Sequence, residues 1–234
     1  MTKSPGNADA QVAGDLLAVL QPALPWPTGV HVSAAWRDGR DLPPWVSLAD
    51  QRRAERLTPV RGVEWLQGRA VLQRAVSDWL AIHSGDDVPP WQVRIAAGGR
   101  GEPLLAAPTR RDISLSLAHG GLLVIGIAAD GTQRVGIDVE RASRDVTGLM
   151  RALTDGELEM VQAGVPALHL LVAKEAVAKA WQVGLGGSPL RWPVMEVVQE
   201  RIWVRGPELP ALAVDIRVLA DHVTGLCVAP RGPR

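Results

Sequence analysis

The chain has 234 residues, 47% of them hydrophobic, and its basic and acidic side chains balance at a formal net charge of zero. This composition excludes a disordered chain and predicts one large domain or two small lobes. The neutral balance gives no global field for nucleic acid, so none is expected as a partner. The single cysteine, Cys227, excludes a disulfide scaffold and is interpreted as a buried strand residue.

Membrane association and secretion are not expected from the sequence. No apolar run approaches the roughly 20 residues that a membrane-spanning helix needs. The first residues, MTKSPGNADAQVAG, lack an apolar segment behind a basic start and so differ from a secretory signal. We therefore expect a cytoplasmic protein.

The first half of the chain predicts a strand, a long helical stretch and more strands. Residues 1–25 are expected to be a peripheral extension with a helical turn or two, and alternation predicts a strand over 30–36. Helical periodicity runs from Leu48 to Ile82, where arginines are dense, and they fit either a solvated face or a polyanion site. The stretch DISLSLAHGGLLVIGIAADG predicts two strands joined at AHGG.

The second half predicts a short strand over Val135–Val139, two helices and a strand-rich tail. The helix in TDGELEMVQAG has Thr154 as its N-cap and Glu157 three residues later. A longer helix follows in PALHLLVAKEAVAKAWQVG and ends at glycines. Strands and helices in each half predict an α+β fold of two lobes of similar size.

Three carboxylates carry the strongest chemical signal. Asp138 and Glu140 are two apart in a strand, so both side chains point to the same face. Glu175 and Lys179 are four apart and share one face of the longer helix, where an ordinary surface ion pair is the alternative. The surrounding helix is mostly apolar, so both charges need partners. Three converging carboxylates suit Mg²⁺ rather than zinc.

Two segments resemble the paired signature of the 4'-phosphopantetheinyl transferases, specifically the larger Sfp-type members. These are GIDVE (136–140) and AKEAVAKAW (173–181). Other segments resemble further family motifs in the right order, so that the similarity covers about residues 30–230: SLADQRRAERL, LQGRAVLQRAV, GRGEPLL, SLSLAHGG and LTDGELEMVQ.

The resemblance implies a pseudo-twofold pair of similar α+β lobes with an active-site cleft between them. It divides the chain into an extension (1–25), an N-terminal lobe (26–134) and a C-terminal lobe (135–234) that carries the metal and catalytic signature. It also implies an enzyme that transfers the 4'-phosphopantetheine arm of coenzyme A to a serine of an acyl or peptidyl carrier protein, with Mg²⁺, and releases adenosine 3',5'-bisphosphate. The implied pathways are fatty-acid, polyketide and nonribosomal-peptide synthesis, and a monomer suffices.

The resemblance also implies roles for single residues. Asp138, Glu140 and Glu175 would hold Mg²⁺, and Lys179 would contact the phosphates and steady the leaving group. Either Glu175 or a metal-bound water would take the serine proton. His119 would bind a phosphate of coenzyme A, and further contacts with coenzyme A are expected from Arg53, Arg61 and Arg69. Lys174 would help to close the site. Taken alone, His119 reads as a turn histidine with a hydrogen bond.

The chain departs from the family pattern where coenzyme A is expected to bind. Glu64 and Glu102 stand where the family has basic residues, Ala118 replaces the serine before the histidine, and Leu171 replaces a tryptophan. Each lost basic contact costs about 1.5–3 kcal/mol of binding. These departures motivate an alternative: a repurposed relative with another reaction in the cleft, or a carrier-binding protein without catalysis. A second alternative treats the carboxylates as structural ion pairs in an unrelated α+β protein.

Overall fold

The computed structural model describes residues 27, 29–36, 46–107, 112–121, 123–219 and 221–232, with side chains for all of these except 35 and 36. The predicted N-terminal extension (1–25) and residues 37–45 lie outside the described residues.

The described part of the chain forms ten strands and four α-helices. The elements in chain order are β1 (Val30–Trp36), α1 (Leu48–Ala54), α2 (Pro59–Ser84), β2 (Arg94–Ala97), β3 (Pro103–Ala107), β4 (Ile113–Gly120), β5 (Leu123–Asp130), β6 (Gln133–Arg141), α3 (Asp155–Gln162), α4 (Ala167–Ala180), β7 (Val194–Val198), β8 (Arg201–Arg205), β9 (Ala211–Leu219) and β10 (His222–Pro230). No helix in the described ranges is both long enough and apolar enough to cross a membrane.

The strands form three antiparallel sheets, two of which face each other. One sheet has the order β1-β5-β4, another β6-β10-β9-β8-β7, and β2 pairs with β3 alone. Ile125 and Ile127 of β5 pack against Ile137 of β6 in one buried cluster, so the two larger sheets share a core. Helix α2 covers the outer face of the three-stranded sheet, and α4 covers the outer face of the five-stranded sheet.

The fold confirms the predicted α+β class. The predicted boundary between residues 134 and 135 falls inside β6, and the core between the facing sheets draws on both halves. The division into lobes, their pseudo-twofold relation and the cleft between them stay predictions.

Local chemistry explains where several helices begin and end. The predicted helical stretch from Leu48 to Ile82 is two helices, because Thr58 and Pro59 start a new one, with proline in its first turn where no backbone N–H is needed. Helix α2 ends at Gly85, whose φ of 70° is in the left-handed region. The predicted capping box at the start of α3 is present, with reciprocal bonds between Thr154 and Glu157.

The predicted burial of Cys227 is confirmed. The thiol is free and fully buried in β10, against α4. Burial raises its pKa to about 12, so the thiol is neutral and unreactive at physiological pH.

Candidate active site

A glycine in β6 allows helix α4 to approach the strand unusually closely. A Cβ at Gly136 would lie 1.9 Å from the backbone oxygen of Ala176 and 2.5 Å from the backbone nitrogen of Ala180. Both atoms belong to the helix backbone, which cannot rotate away as a side chain can. Gly136 therefore fixes the position of α4 on β6, and with it the charged residues that α4 carries.

The charged residues of this helix meet the strand two positions further along. Because side chains alternate in a strand, Asp138 faces α4 on the same side as Gly136. Lys179 of α4 donates from Nζ to Asp138 Oδ1 at 2.8 Å. Burial raises the pKa of the Asp138 carboxyl, and the Lys179 ammonium opposes that rise. The pair thus joins the two halves of the sequence signature directly.

Glu140 continues the same face and has a partner that the sequence analysis missed. Arg144 donates from Nη1 to Glu140 Oε1, four residues back along the chain. Burial raises the pKa of Glu140, and repulsion from Asp138 adds to the rise. The sequence feature that could have indicated this contact is the position of Arg144, four residues after the last residue of the GIDVE motif.

Glu175 completes the set of three carboxylates. Burial raises the pKa of its carboxyl, Lys179 opposes this, and repulsion from Asp138 adds to it. Repulsion from Glu175 also raises the pKa of Glu140. The three carboxylates predicted from the sequence therefore lie close enough to repel one another. Their combined negative charge favours the binding of a cation.

The donor set fits Mg²⁺ in kind, because all three ligands would be carboxylate oxygens. Their present side-chain directions differ from those of a metal site: Asp138 bonds to Lys179, and Glu140 bonds to Arg144. Across the described ranges, no group of three or more His, Cys, Asp or Glu side chains is arranged to hold a metal ion. Convergence on one ion would require both carboxylates to exchange these bonds for the ion.

His119 lies next to this strand but faces the other way. It is the second-last residue of β4 rather than a turn residue, and its Nε2 lies 3.2 Å from the backbone oxygen of Glu64 in α2. The carboxylates face α4, so His119 and the carboxylates project towards different helices. The two sides are joined by Gly120, where a Cβ would lie 2.4 Å from the backbone oxygen of Val139 in β6.

The three arginines predicted to bind coenzyme A sit in contrasting surroundings. Arg53 and Arg69 stack on the Trp65 ring at 4.6 and 4.0 Å, and Arg69 is buried with its Nε 3.6 Å from Asp50 Oδ1. Arg61 is exposed and donates to Glu64 at 3.0 Å. Their contact with coenzyme A stays a prediction, and only Arg53 and Arg61 are exposed enough to meet a ligand without rearrangement.

The departures from the family pattern have local structural explanations. Glu102 folds back into the β2–β3 turn, where its Oε2 accepts from the backbone nitrogen of Arg100 at 2.9 Å. Ala118 is 2% exposed and packs in the core between the two large sheets. Glu102 is thus held to its own turn, and Ala118 offers a ligand no polar group.

Lys174 does not help to close the site, contrary to expectation. It is fully buried on α4 and donates to Glu157 Oε2 at 2.6 Å and to the backbone oxygen of Ala152 at 3.1 Å. The other carboxylate oxygen of Glu157 accepts from the backbone nitrogen of Val194 at 2.7 Å. The pair ties α4 to α3 and to β7, and its role is structural.

One comparison with known protein families agrees with the motifs in the second half of the chain. A model of the 4'-phosphopantetheinyl transferase superfamily matches residues 134–227, which include most of β6, all of α4 and the first part of β10. No curated protein matches the chain. One solved structure that matches is the holo-[acyl-carrier-protein] synthase of Thermotoga maritima, at 12% identity and a TM-score of 0.36, over 78% of this chain and 84% of that one.

Proposed function

We propose that the chain transfers the 4'-phosphopantetheine arm of coenzyme A to a serine of an acyl or peptidyl carrier protein, and the match of residues 134–227 to the model of the 4'-phosphopantetheinyl transferase superfamily supports this. Adenosine 3',5'-bisphosphate leaves. The single observation that supports this best is the close packing of α4 on Gly136, which brings Lys179 onto Asp138 with Glu175 nearby. Both halves of the signature lie in one chain, so we propose a monomeric, cytoplasmic enzyme of the Sfp type.

The reaction needs charge stabilisation more than covalent chemistry. The serine oxygen attacks the phosphorus that carries the pantetheine arm, and the bond to the bridging oxygen of the pyrophosphate breaks. Asp138, Glu140 and Glu175 would hold Mg²⁺, which when bound neutralises charge on the phosphate oxygens. Lys179, one helical turn after Glu175, would steady the phosphate that leaves.

The serine proton needs a nearby base. Burial and neighbouring charge raise the pKa of Glu175, and a raised carboxyl pKa suits a proton acceptor near neutral pH. Glu175 thus supports two roles, as a metal ligand and as a base.

A second candidate is a repurposed relative that does not use coenzyme A. The observation that favours it is the state of the predicted coenzyme A contacts: Arg61 pairs with Glu64, Arg69 is buried, and Glu102 stands where the family has a lysine. Calorimetry of coenzyme A with and without MgCl₂ separates the two. The absence of binding at millimolar ligand would favour the repurposed relative.

The direct test mixes the protein with apo carrier domains, coenzyme A and MgCl₂, and measures the carrier by intact-protein mass spectrometry. We expect a mass gain of one phosphopantetheine arm. Glu175→Ala should abolish the gain, whereas Glu159→Gln, an exposed glutamate on α3, should keep it. No gain across fatty-acid, polyketide and peptide carriers would refute the transferase.

A further inference from the structure

A buried histidine outside the sequence motifs contacts the turn between β4 and β5. His222, at the start of β10, is 1% exposed. Its Nε2 lies 3.0 Å from the backbone oxygen of Gly120, and its Nδ1 lies 2.6 Å from Asp221 Oδ1. Asp221 in turn accepts from Arg141 at 3.4 Å. Because a carbonyl oxygen can only accept, Nε2 is the atom that donates to Gly120, while Nδ1 lies within ion-pair distance of Asp221.

The hydrogen bond from His222 connects β10 to a residue that also packs tightly against β6. Gly120 follows His119 directly, and its Cα packs so closely on Val139 that a Cβ would lie 2.4 Å from the Val139 oxygen. The turn is thus pressed against β6 on one side and bonded to His222 on the other. Glu140 is the next residue of β6, so Gly120 joins His119 to the strand that carries the carboxylates.

We propose that His222 is a positioning residue, which holds the end of β4 through Gly120 and so sets where His119 stands relative to the carboxylate strand. Its donor to the Gly120 oxygen joins residues that are 102 positions apart in sequence. Without that donor the buried oxygen loses its hydrogen bond to β10, and the turn is expected to shift. The consequence for coenzyme A rests on the proposed function, whereas the positioning of His119 does not.

The test compares two substitutions of His222 with one of another buried histidine. His222→Leu removes the donor, and His222→Gln keeps a nitrogen near the position of Nε2. The matched control is His31→Leu: His31 is also buried and contacts a carboxylate, Asp78, at 3.4 Å, but it lies on β1.

The first measurement is the imidazole ¹⁵N resonance of His119, assigned with a His119→Gln variant. We expect His222→Leu to shift this resonance and His31→Leu to leave it in place, while His222→Gln stays close to the original protein. If the resonance is unchanged in His222→Leu, or shifts equally in His31→Leu, the proposal is overturned.

The second measurement is the dissociation constant for coenzyme A. We expect His222→Leu to weaken binding about tenfold and His222→Gln to restore most of it, as expected for loss of one hydrogen bond to a buried group. If the original protein binds no coenzyme A while the His119 resonance still moves, the proposed function fails and the positioning role stands. Equal affinity in His222→Leu overturns the link to the ligand.

Discussion

The contact between Gly136 and helix α4 predicts a large effect from a single methyl group. In Gly136→Ala, the new Cβ starts 1.9 Å from the Ala176 oxygen, and non-bonded contacts need at least about 3 Å, so the helix backbone must move by about 1 Å. Overpacking of this kind costs about 1–3 kcal/mol of stability. A displacement of about 1 Å in reacting groups lowers the rate by about 100-fold, because Lys179 and Glu175 move with the helix.

Gly225→Ala is the matched control for this prediction. Gly225 pairs with Asp138 on the neighbouring strand, and its added Cβ would meet only side-chain atoms, the nearest being Val172 Cγ1 at 2.8 Å. Those side chains can adjust. Urea unfolding gives the stability of each variant, and arm transfer at equal folded concentration gives its activity. If Gly136→Ala matches the original protein within about 0.5 kcal/mol and keeps full transfer, the packing argument is wrong.

Four other measurements test the buried and charged groups. Lys174→Met leaves the buried Glu157 carboxylate without its cationic partner and should lower the free energy of unfolding, measured in urea, by about 3–5 kcal/mol. A loss below about 1 kcal/mol would contradict the importance of this ion pair. Cys227 should resist iodoacetamide at pH 8 until urea unfolds the chain, and rapid native labelling would contradict its burial. Above the usual thiol pKa of 9.0 the unfolded state loses a proton that the folded state keeps, so stability should fall towards pH 12, and Cys227→Ala should remove that slope. Lys179→Met should lower arm transfer far more than Glu159→Gln, and equal activities would exclude Lys179 from the site.

The local parts of the site could be predicted because they depend on short-range periodicity. Alternation in β6 puts Asp138 and Glu140 on one face, and helical spacing puts Glu175 and Lys179 on another. The capping box at Thr154 is also a local pattern and is present. The spacing of residues in the sequence was therefore enough to predict the two shared faces and the capping box.

Contacts between distant segments could not be predicted in this way. Lys174 was assigned to the site because it precedes Glu175, but adjacent helix residues point about 100° apart, and its partner Glu157 lies on another helix. The bond between His222 and Gly120 joins two hairpins and leaves no periodic signal. Thr58 and Pro59 mark the break between α1 and α2 in the sequence. The apolar periodicity continues on both sides of this break, so a single helical stretch was predicted.

Under the proposed function, the charges at the site give a reason for a divalent ion and coenzyme A to bind together. Asp138, Glu140 and Glu175 bring three negative charges when ionised, and Lys179 and Arg144 bring two positive ones, which leaves one negative charge on the cluster. A polyanion such as coenzyme A is repelled by that surplus at short range. A divalent ion held by the three carboxylates would change the sum to one positive charge, and the carboxylates would then exchange their bonds to Lys179 and Arg144 for the ion. In the proposed enzyme, the ion pairs of Lys179 and Arg144 would keep these cations beside the place where the phosphates are expected, and binding of the ion would free them.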